Sequence, residues 1–274
     1  RRSPLIASGP FLQGAFGMLR VACRSAECSG PQVQDHTASC IEAVFDEACT
    51  EQGFHHIAQH VFAFRSAVIA RLLPIVRSAK EKGFIVNFDM EQNDFRVVTF
   101  HIFRTMFLMD EFRTWDNAGI VCQAYLKSAE ADLLELRDYA VERRTAFWVR
   151  LVKGAYWDYE TIISAQRGHP CPVWPFKPLT DACFELCEDF LIENWMHLRP
   201  AIASHNVRSQ ARAQAKAKAL GLPPRTVEYQ VLYGMGEPMG RALCAAGERV
   251  RVYVPFGELL PGMAYLVRRL LENS

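Results

Sequence analysis

The run WVRLVKGAYWDYE, residues 148–160, places an arginine, a lysine, a glycine and two aromatic rings at the exit of a short apolar stretch. Arg150, Val152 and Gly154 alternate with Leu151, Lys153 and Ala155, so strand pleating sends Arg150 and Lys153 to opposite faces. An arginine turned into an interior is costly unless it meets an anion or an electron-rich heteroaromatic ring. Gly154 lets the backbone come close to a flat ligand, and Tyr156 and Trp157 offer stacking faces. The plainer alternative for the arginine is an internal ion pair, with Asp89 for instance.

Other residues widen the choice of chemistry. A lysine at a strand end can form a Schiff base if it is desolvated, so Lys153 admits a lyase reaction. His205 opens the triplet HNV at 205–207; with Asp89 it falls short of a ligand set, so no metal is expected. Close to the C-terminus, GMAYLVRRLLEN sets Arg268 beside Arg269, with Glu272 in helical pairing reach of both. Two guanidiniums there can clamp a carboxylate, or they can be a solvated helix edge with an ordinary ion pair.

These residues must be held by a scaffold, and from about Ser66 onward the sequence alternates two textures. Helical stretches with 3.6-residue apolar spacing are AVIARLLPIVRSAKEKG, FRVVTFHIFRTMFLMDEF, AEADLLELRDYAVERR, LTDACFELCEDFLIENW and SQARAQAKAKALGLPP. Between them lie nearly continuous apolar runs at 84–90, 118–126, 146–156, 201–207, 227–235 and 249–257. Continuous apolar strands spaced by amphipathic helices imply a parallel sheet covered by helices. With similar repeat lengths and no glycine-rich dinucleotide fingerprint, a closed (β/α) barrel is favoured over a doubly wound sheet. The runs end in Asp89 and Glu91, Gln123 and Tyr125, Lys153 and Tyr156, Ser204, His205 and Asn206, Gln230 and Tyr233, and Tyr253. In such a barrel the C-terminal strand ends converge on one mouth, where reactive groups gather.

The 274 residues carry a net charge of +1, half are hydrophobic and 22% are charged, which gives no electrostatic footprint for nucleic acid. No apolar run approaches the roughly 20 residues of a spanning helix. The first residues have two arginines and an apolar stretch, but Gly and Pro interrupt it and no clean cleavage site follows, which argues against a targeting peptide. Nine cysteines, an odd number in a chain this long, are read as free thiols in a reducing compartment. Residues 1–60 show no strand signal, and 41–62 can form one or two helices. The expected division is an atypical segment at 1–60 followed by a barrel at 61–274, two strands short of eight.

The stretches VNFDMEQ, RLVKGAYWD, ASHN, EYQVLYGMGEP and RVYVPFGELLPGMAYLVRRLLEN closely resemble the proline dehydrogenase domain of the bifunctional proline utilisation A flavoenzymes, from about Val68 to Ser274. The resemblance implies an α/β fold, a (βα)8 TIM-like barrel of the proline dehydrogenase type with FAD at its mouth. It implies oxidation of L-proline to 1-pyrroline-5-carboxylate by hydride transfer to flavin N5, with electrons passed to a membrane quinone. By motif, Asp89, Arg150, Tyr156 and Tyr253 fall at catalytic positions. Phe88, Gln123, Arg150, Val152, Lys153, Gly154, Ala155, Trp157, Lys177, Ser204, His205, Asn206, Gln230 and Leu232 fall at cofactor positions. Tyr265, Arg268, Arg269 and Glu272 fall around the substrate.

The chain also departs from the pattern. The family's first two strands, the second carrying a lysine for the substrate carboxylate, find no match, and PFK stands at Lys177 where the family has a TRK- or THK-like run. The chain stops at LLENS, where the bifunctional enzymes continue toward an aldehyde dehydrogenase domain, so that domain or a separate subunit is an expected partner. The expected location is the cytoplasm, peripheral to the inner membrane. The rival expectation is a truncated barrel without catalysis, serving as a structural or interaction module.

Overall fold

All six apolar runs form strands, each parallel to the next. In the structure, a computed structural model, the backbone is described for residues 6–8, 19–21 and 51–255, and side chains for residues 65–254. The six strands are β3 (Val86–Phe88), β4 (Ala118–Gln123), β5 (Phe147–Val152), β6 (Leu198–Ala203), β7 (Glu228–Leu232) and β8 (Arg249–Pro255). Two more come from the N-terminal segment: β1 (Ile6–Ser8) and β2 (Leu19–Val21). The sheet order is β1-β8-β7-β6-β5-β4-β3-β2.

This corrects the expectation of a sheet two strands short. The outer positions are filled from the segment that showed no strand signal, β1 pairing parallel with β8 and β2 pairing antiparallel with β3. Three-residue strands leave too little periodicity to read. An antiparallel strand is also a departure from an all-parallel (βα)8 pattern.

Helices fill the crossovers: α1 (Glu51–Glu81), α2 (Arg96–Leu108), α3 (Asp110–Arg113), α4 (Ala129–Arg143), α5 (Trp157–Arg167), α6 (Lys177–Glu193), α7 (Val207–Ala219) and α8 (Glu237–Ala245). In α1, Val68, Leu72, Val76 and Ala79 form one buried stripe at helical spacing. Helices α5 and α8 are not among the helical stretches expected from the sequence. In α5 the aromatics that look like a strand exit begin a helix, which Asp158 and Glu160 open and Gly168 closes in the left-handed conformation. In α8, Pro238 lies in the first turn, where its missing N–H costs nothing.

The core lies between the outward face of the strands and the helices. Phe88 packs edge-on against Phe103 and Phe107 of α2, with ring centroids 5.4 and 5.8 Å apart, and Phe103 also meets Phe147 of β5. Arg143, at the end of α4, is almost wholly buried and donates to the backbone carbonyls of Phe107, Phe112 and Trp115. It thereby adds donors to carbonyls where the chain leaves α2 and α3.

Candidate active site

Strand pleating sorts the residues of β5 as expected. Phe147, Val149 and Leu151 face the helices and are fully buried, while Trp148, Arg150 and Val152 face the other way. The same period of two puts Glu228, Gln230 and Leu232 on the inward face of β7, and Arg249, Arg251 and Tyr253 on that of β8, opposite one another in register. The inner face therefore carries charge and the outer face carries the core.

At the C-terminal ends of the strands the inward side chains open on a cleft of about 860 Å³, part of it open to solvent. Asp89, Gln123, Arg150, Val152, Lys153, Gly154, Ala155, Ser204, His205, Gln230, Leu232 and Tyr253 all line it. Met90, Val121, Ala203 and Val231, not expected from the sequence, complete the lining. For Val121 the signal is present in the sequence: it lies two residues from Gln123 on the same strand.

Within the cleft, Arg150 Nη1 lies 3.3 Å from Asp89 Oδ1, so the ion pair weighed from sequence is present. The Arg150 guanidinium also lies over the ring of Tyr253, 5.7 Å from its centroid. Gln123 donates from Nε2 to the carbonyls of Met90 (3.4 Å) and Glu91 (3.1 Å). Its Oε1 is buried with no hydrogen-bond partner among the described residues. His205 accepts the N–H of Leu232 at Nε2, 2.9 Å away, which makes it the Nδ1–H tautomer. Gly236 keeps that geometry open, since a Cβ there would lie 2.8 Å from the imidazole.

Lys153 lines the cleft with its stem, but its ammonium turns toward α6. There it pairs with Asp181 and lies over the ring of Phe184. Burial alone would raise the Asp181 carboxyl; Lys153 and Lys177 outweigh that and hold it below the usual range. An ammonium engaged in this way is a poor Schiff-base nucleophile, and the lyase reading loses its support. Gly154 has a φ of +128°, and a Cβ there would come within 2.3 Å of the Tyr125 ring. The close approach expected for a ligand is thus made first by a protein side chain.

Several expected site residues stand outside the lining. Phe88 is turned into the core on the helix side, because it alternates with Asn87 along β3. Tyr156 packs against Tyr125, Leu126 and Val173. Trp157 begins α5, half exposed, and donates from Nε1 to the carbonyl of Trp174 at 2.7 Å. Lys177 begins α6, exposed, 3.5 Å from Asp181. Asn206 caps α7 by accepting the N–H of Ser209. Tyr265, Arg268, Arg269 and Glu272 lie outside the described residues. Among the described residues no cluster of His, Cys, Asp or Glu could hold a metal, and no helix is long and apolar enough to cross a membrane.

A family model for proline dehydrogenase matches residues 13–274. The chain belongs to the proline dehydrogenase family. Its match begins well ahead of Val68, where the legible motifs start. Among curated relatives, the bifunctional protein PutA of Escherichia coli is 32% identical over 211 residues, 74% of this chain and 16% of that protein. The mitochondrial proline dehydrogenase 1 of Homo sapiens is 30% identical over 213 residues, 76% of this chain and 35% of that one. This proline dehydrogenase family chain thus spans about a sixth and about a third of those relatives. It also superposes on proline utilization A from Bdellovibrio bacteriovorus, solved after inactivation by N-propargylglycine. There the TM-score is 0.76 at 48% identity, covering 78% of this chain and 22% of that one.

Proposed function

We propose that the cleft holds FAD and that the chain oxidises L-proline to 1-pyrroline-5-carboxylate. The observation that carries this reading is Gln123 Oε1, a buried acceptor in the cleft with no partner among the described residues. A buried polar atom left so is expensive unless a ligand donor meets it. The rest of the lining fits a flat heteroaromatic ring with polar edges. Arg150 offers a guanidinium, Gln230 and Ser204 offer neutral polar groups, and Val121, Val152 and Leu232 offer apolar surface.

When bound, the flavin supplies the two-electron acceptor for the hydride leaving the proline ring. The chain's own residues bind and orient. Arg150 brings positive charge to where an electron-rich ring edge is stabilised. Tyr253 holds the guanidinium from one side and Asp89 from another. Arg268 and Arg269, oriented by Glu272, take the proline carboxylate, with Tyr265 as a wall; this part rests on the family motifs. So do the quinone acceptor, the aldehyde dehydrogenase partner and a cytoplasmic, membrane-peripheral location. We read the sheet as the wall of a distorted (βα)8 barrel, because six parallel strands linked through helices gather their polar ends on one side.

Purified protein is expected to be yellow, or to become so with FAD, and to bleach on anaerobic addition of L-proline. N-propargylglycine, which inactivated the Bdellovibrio relative, is expected to abolish that bleaching irreversibly. Colourless protein that cannot be reconstituted with FAD overturns the reading.

A further inference from the structure

Below the cleft, at the N-terminal ends of β7 and β8, lies a buried carboxylate that the proposed reaction does not use. Glu228 is 2% exposed. It accepts from Arg251 through both oxygens, at 2.6 Å from Nε and 2.7 Å from Nη2, and from Arg249 Nε at 3.0 Å. Burial by itself would raise its pKa, but the two guanidiniums outweigh burial and hold it below the usual carboxylate range. A fourth donor reaches it from above: Gln230 Nε2, at 2.8 Å from Oε1. Gln230 stands two residues on along the same strand, so both side chains share one face, and Gln230 itself lines the cleft.

A carboxylate held ionised accepts only, so the amide edge facing it must be the NH2. The carbonyl of Gln230 is then the edge left for the cleft, and no hydrogen bond among the described residues engages it. Gln123 is arranged alike, with its NH2 committed to two backbone carbonyls and its oxygen left over. We propose that Glu228 is a positioning residue that turns the Gln230 carbonyl into the cleft, so that the site meets its ligand there as a hydrogen-bond acceptor. The proposal rests on the flavin reading for the ligand's identity, but not for the orientation of the amide. A ligand ring is then engaged at this point by an N–H or O–H that it donates, and a neutral or reversed contact there weakens it.

The test uses the full chain. In ligand-free protein labelled with ¹⁵N-glutamine, the side-chain resonance that disappears in Gln230→Leu is followed by hydrogen exchange. Exchange slowed at least about tenfold relative to exposed glutamines is expected, with the protection lost in Glu228→Gln. Equal exchange, or protection unchanged in Glu228→Gln, overturns the proposal. FAD titration then gives a double-mutant cycle: Glu228→Gln and Gln230→Leu each weaken binding about tenfold, and together no more than either alone. Losses that multiply mean that Glu228 acts on the fold and not through Gln230, which also overturns it.

Glu228→Gln leaves two arginines without their anion, so a swap guards against simple misfolding. Glu228→Gln combined with Gln230→Glu returns an anion beside Arg251 and is expected to recover the melting temperature without recovering FAD affinity. Recovery of both contradicts the proposal. Wild-type protein that binds no FAD sinks the flavin reading, while the orientation of Gln230 is decided by the exchange data alone.

Discussion

The two ends of the same strands use the same residue types in opposite ways. At the N-terminal end, Arg251 and Glu228 meet through a two-point fork at 2.6 and 2.7 Å. Arg249 closes on the same carboxylate while stacking over Trp148 at 4.4 Å. At the C-terminal end, Arg150 meets Asp89 at 3.3 Å, beside a glutamine oxygen that has no partner among the described residues. The first arrangement surrounds one carboxylate with donors from the protein; the second sets an ion pair at the edge of a cleft. A buried charge pair is costly to break, because removing one partner leaves the other uncompensated in the interior. A buried oxygen bordering a cleft suits a ligand site, because a donor on the ligand can meet it.

The largest effect that would break this contrast is expected at the closed end. Glu228→Ala strands the buried Arg251 guanidinium, with Arg249 part-exposed beside it, and should cost about 3 kcal/mol of stability, read from urea unfolding. A loss below about 1 kcal/mol would mean that the fork is decorative. At the open end Arg150→Met should lower kcat/KM for proline about 100-fold, with a smaller loss of stability than Glu228→Ala, because the 3.3 Å contact with Asp89 is longer than the fork at Glu228. If it unfolds the protein as readily as Glu228→Ala, the two ends do not differ in kind.

A smaller effect belongs to the exit of β5. Gly154→Ala adds a methyl group against the Tyr125 ring at a backbone angle that side chains avoid, and should cost about 2 kcal/mol. Shrinking the neighbour in the double variant with Tyr125→Ala separates the two causes, since the clash disappears and the backbone strain stays. An unchanged denaturation midpoint for the single variant would show that the loop relaxes freely.

A pH dependence sharpens the comparison by adding a carboxylate whose pKa moves in the opposite direction. Glu188 of α6 is pushed up to about 7, first by burial, although Arg212 lies 2.9 Å away. Arg212 gives its two-point bond to Asp189 instead, and Glu188 Oε2 has no partner among the described residues. Asp132 is likewise pushed up to about 6, burial again outweighing its bond to Arg96. For both, the folded state binds more protons than the unfolded one above the usual carboxylate range, so their contribution to stability falls as pH rises from about 5 to about 7. Glu228 works the other way: its contribution is present above the unfolded value and is lost as pH falls through its lowered folded value. Urea midpoints between pH 5 and pH 8 should therefore show a shallower slope in Glu188→Gln than in the wild type; identical slopes would refute the assignment.

Much of this was legible in the residues. Six strands and five helical stretches follow from apolar periodicity, and so does the gathering of Asp89, Gln123, Arg150, His205, Gln230 and Tyr253 at the strand ends. The motifs then point to the proline dehydrogenase family, and the family model agrees. Less legible were the helices α5 and α8, whose short turns begin with residues that look like loop or strand exits, and the edge strands β1 and β2, each only three residues long.

The alternation of types along the chain determined which face of each strand would be polar, because side chains on a strand alternate without exception. What the sequence could not determine is which polar group spends its bonds on which other. Glu228 and Asp89 are equally acidic on paper, as Arg251 and Arg150 are equally basic. Only the register of β7 against β8 brings two arginines to Glu228 at once, and only the arrangement of β3, β4 and β5 leaves the Gln123 oxygen without a donor among the described residues. Hydrogen bonds depend on distances of a few tenths of an ångström between residues far apart in the chain, and those distances are fixed by strand pairing and helix packing.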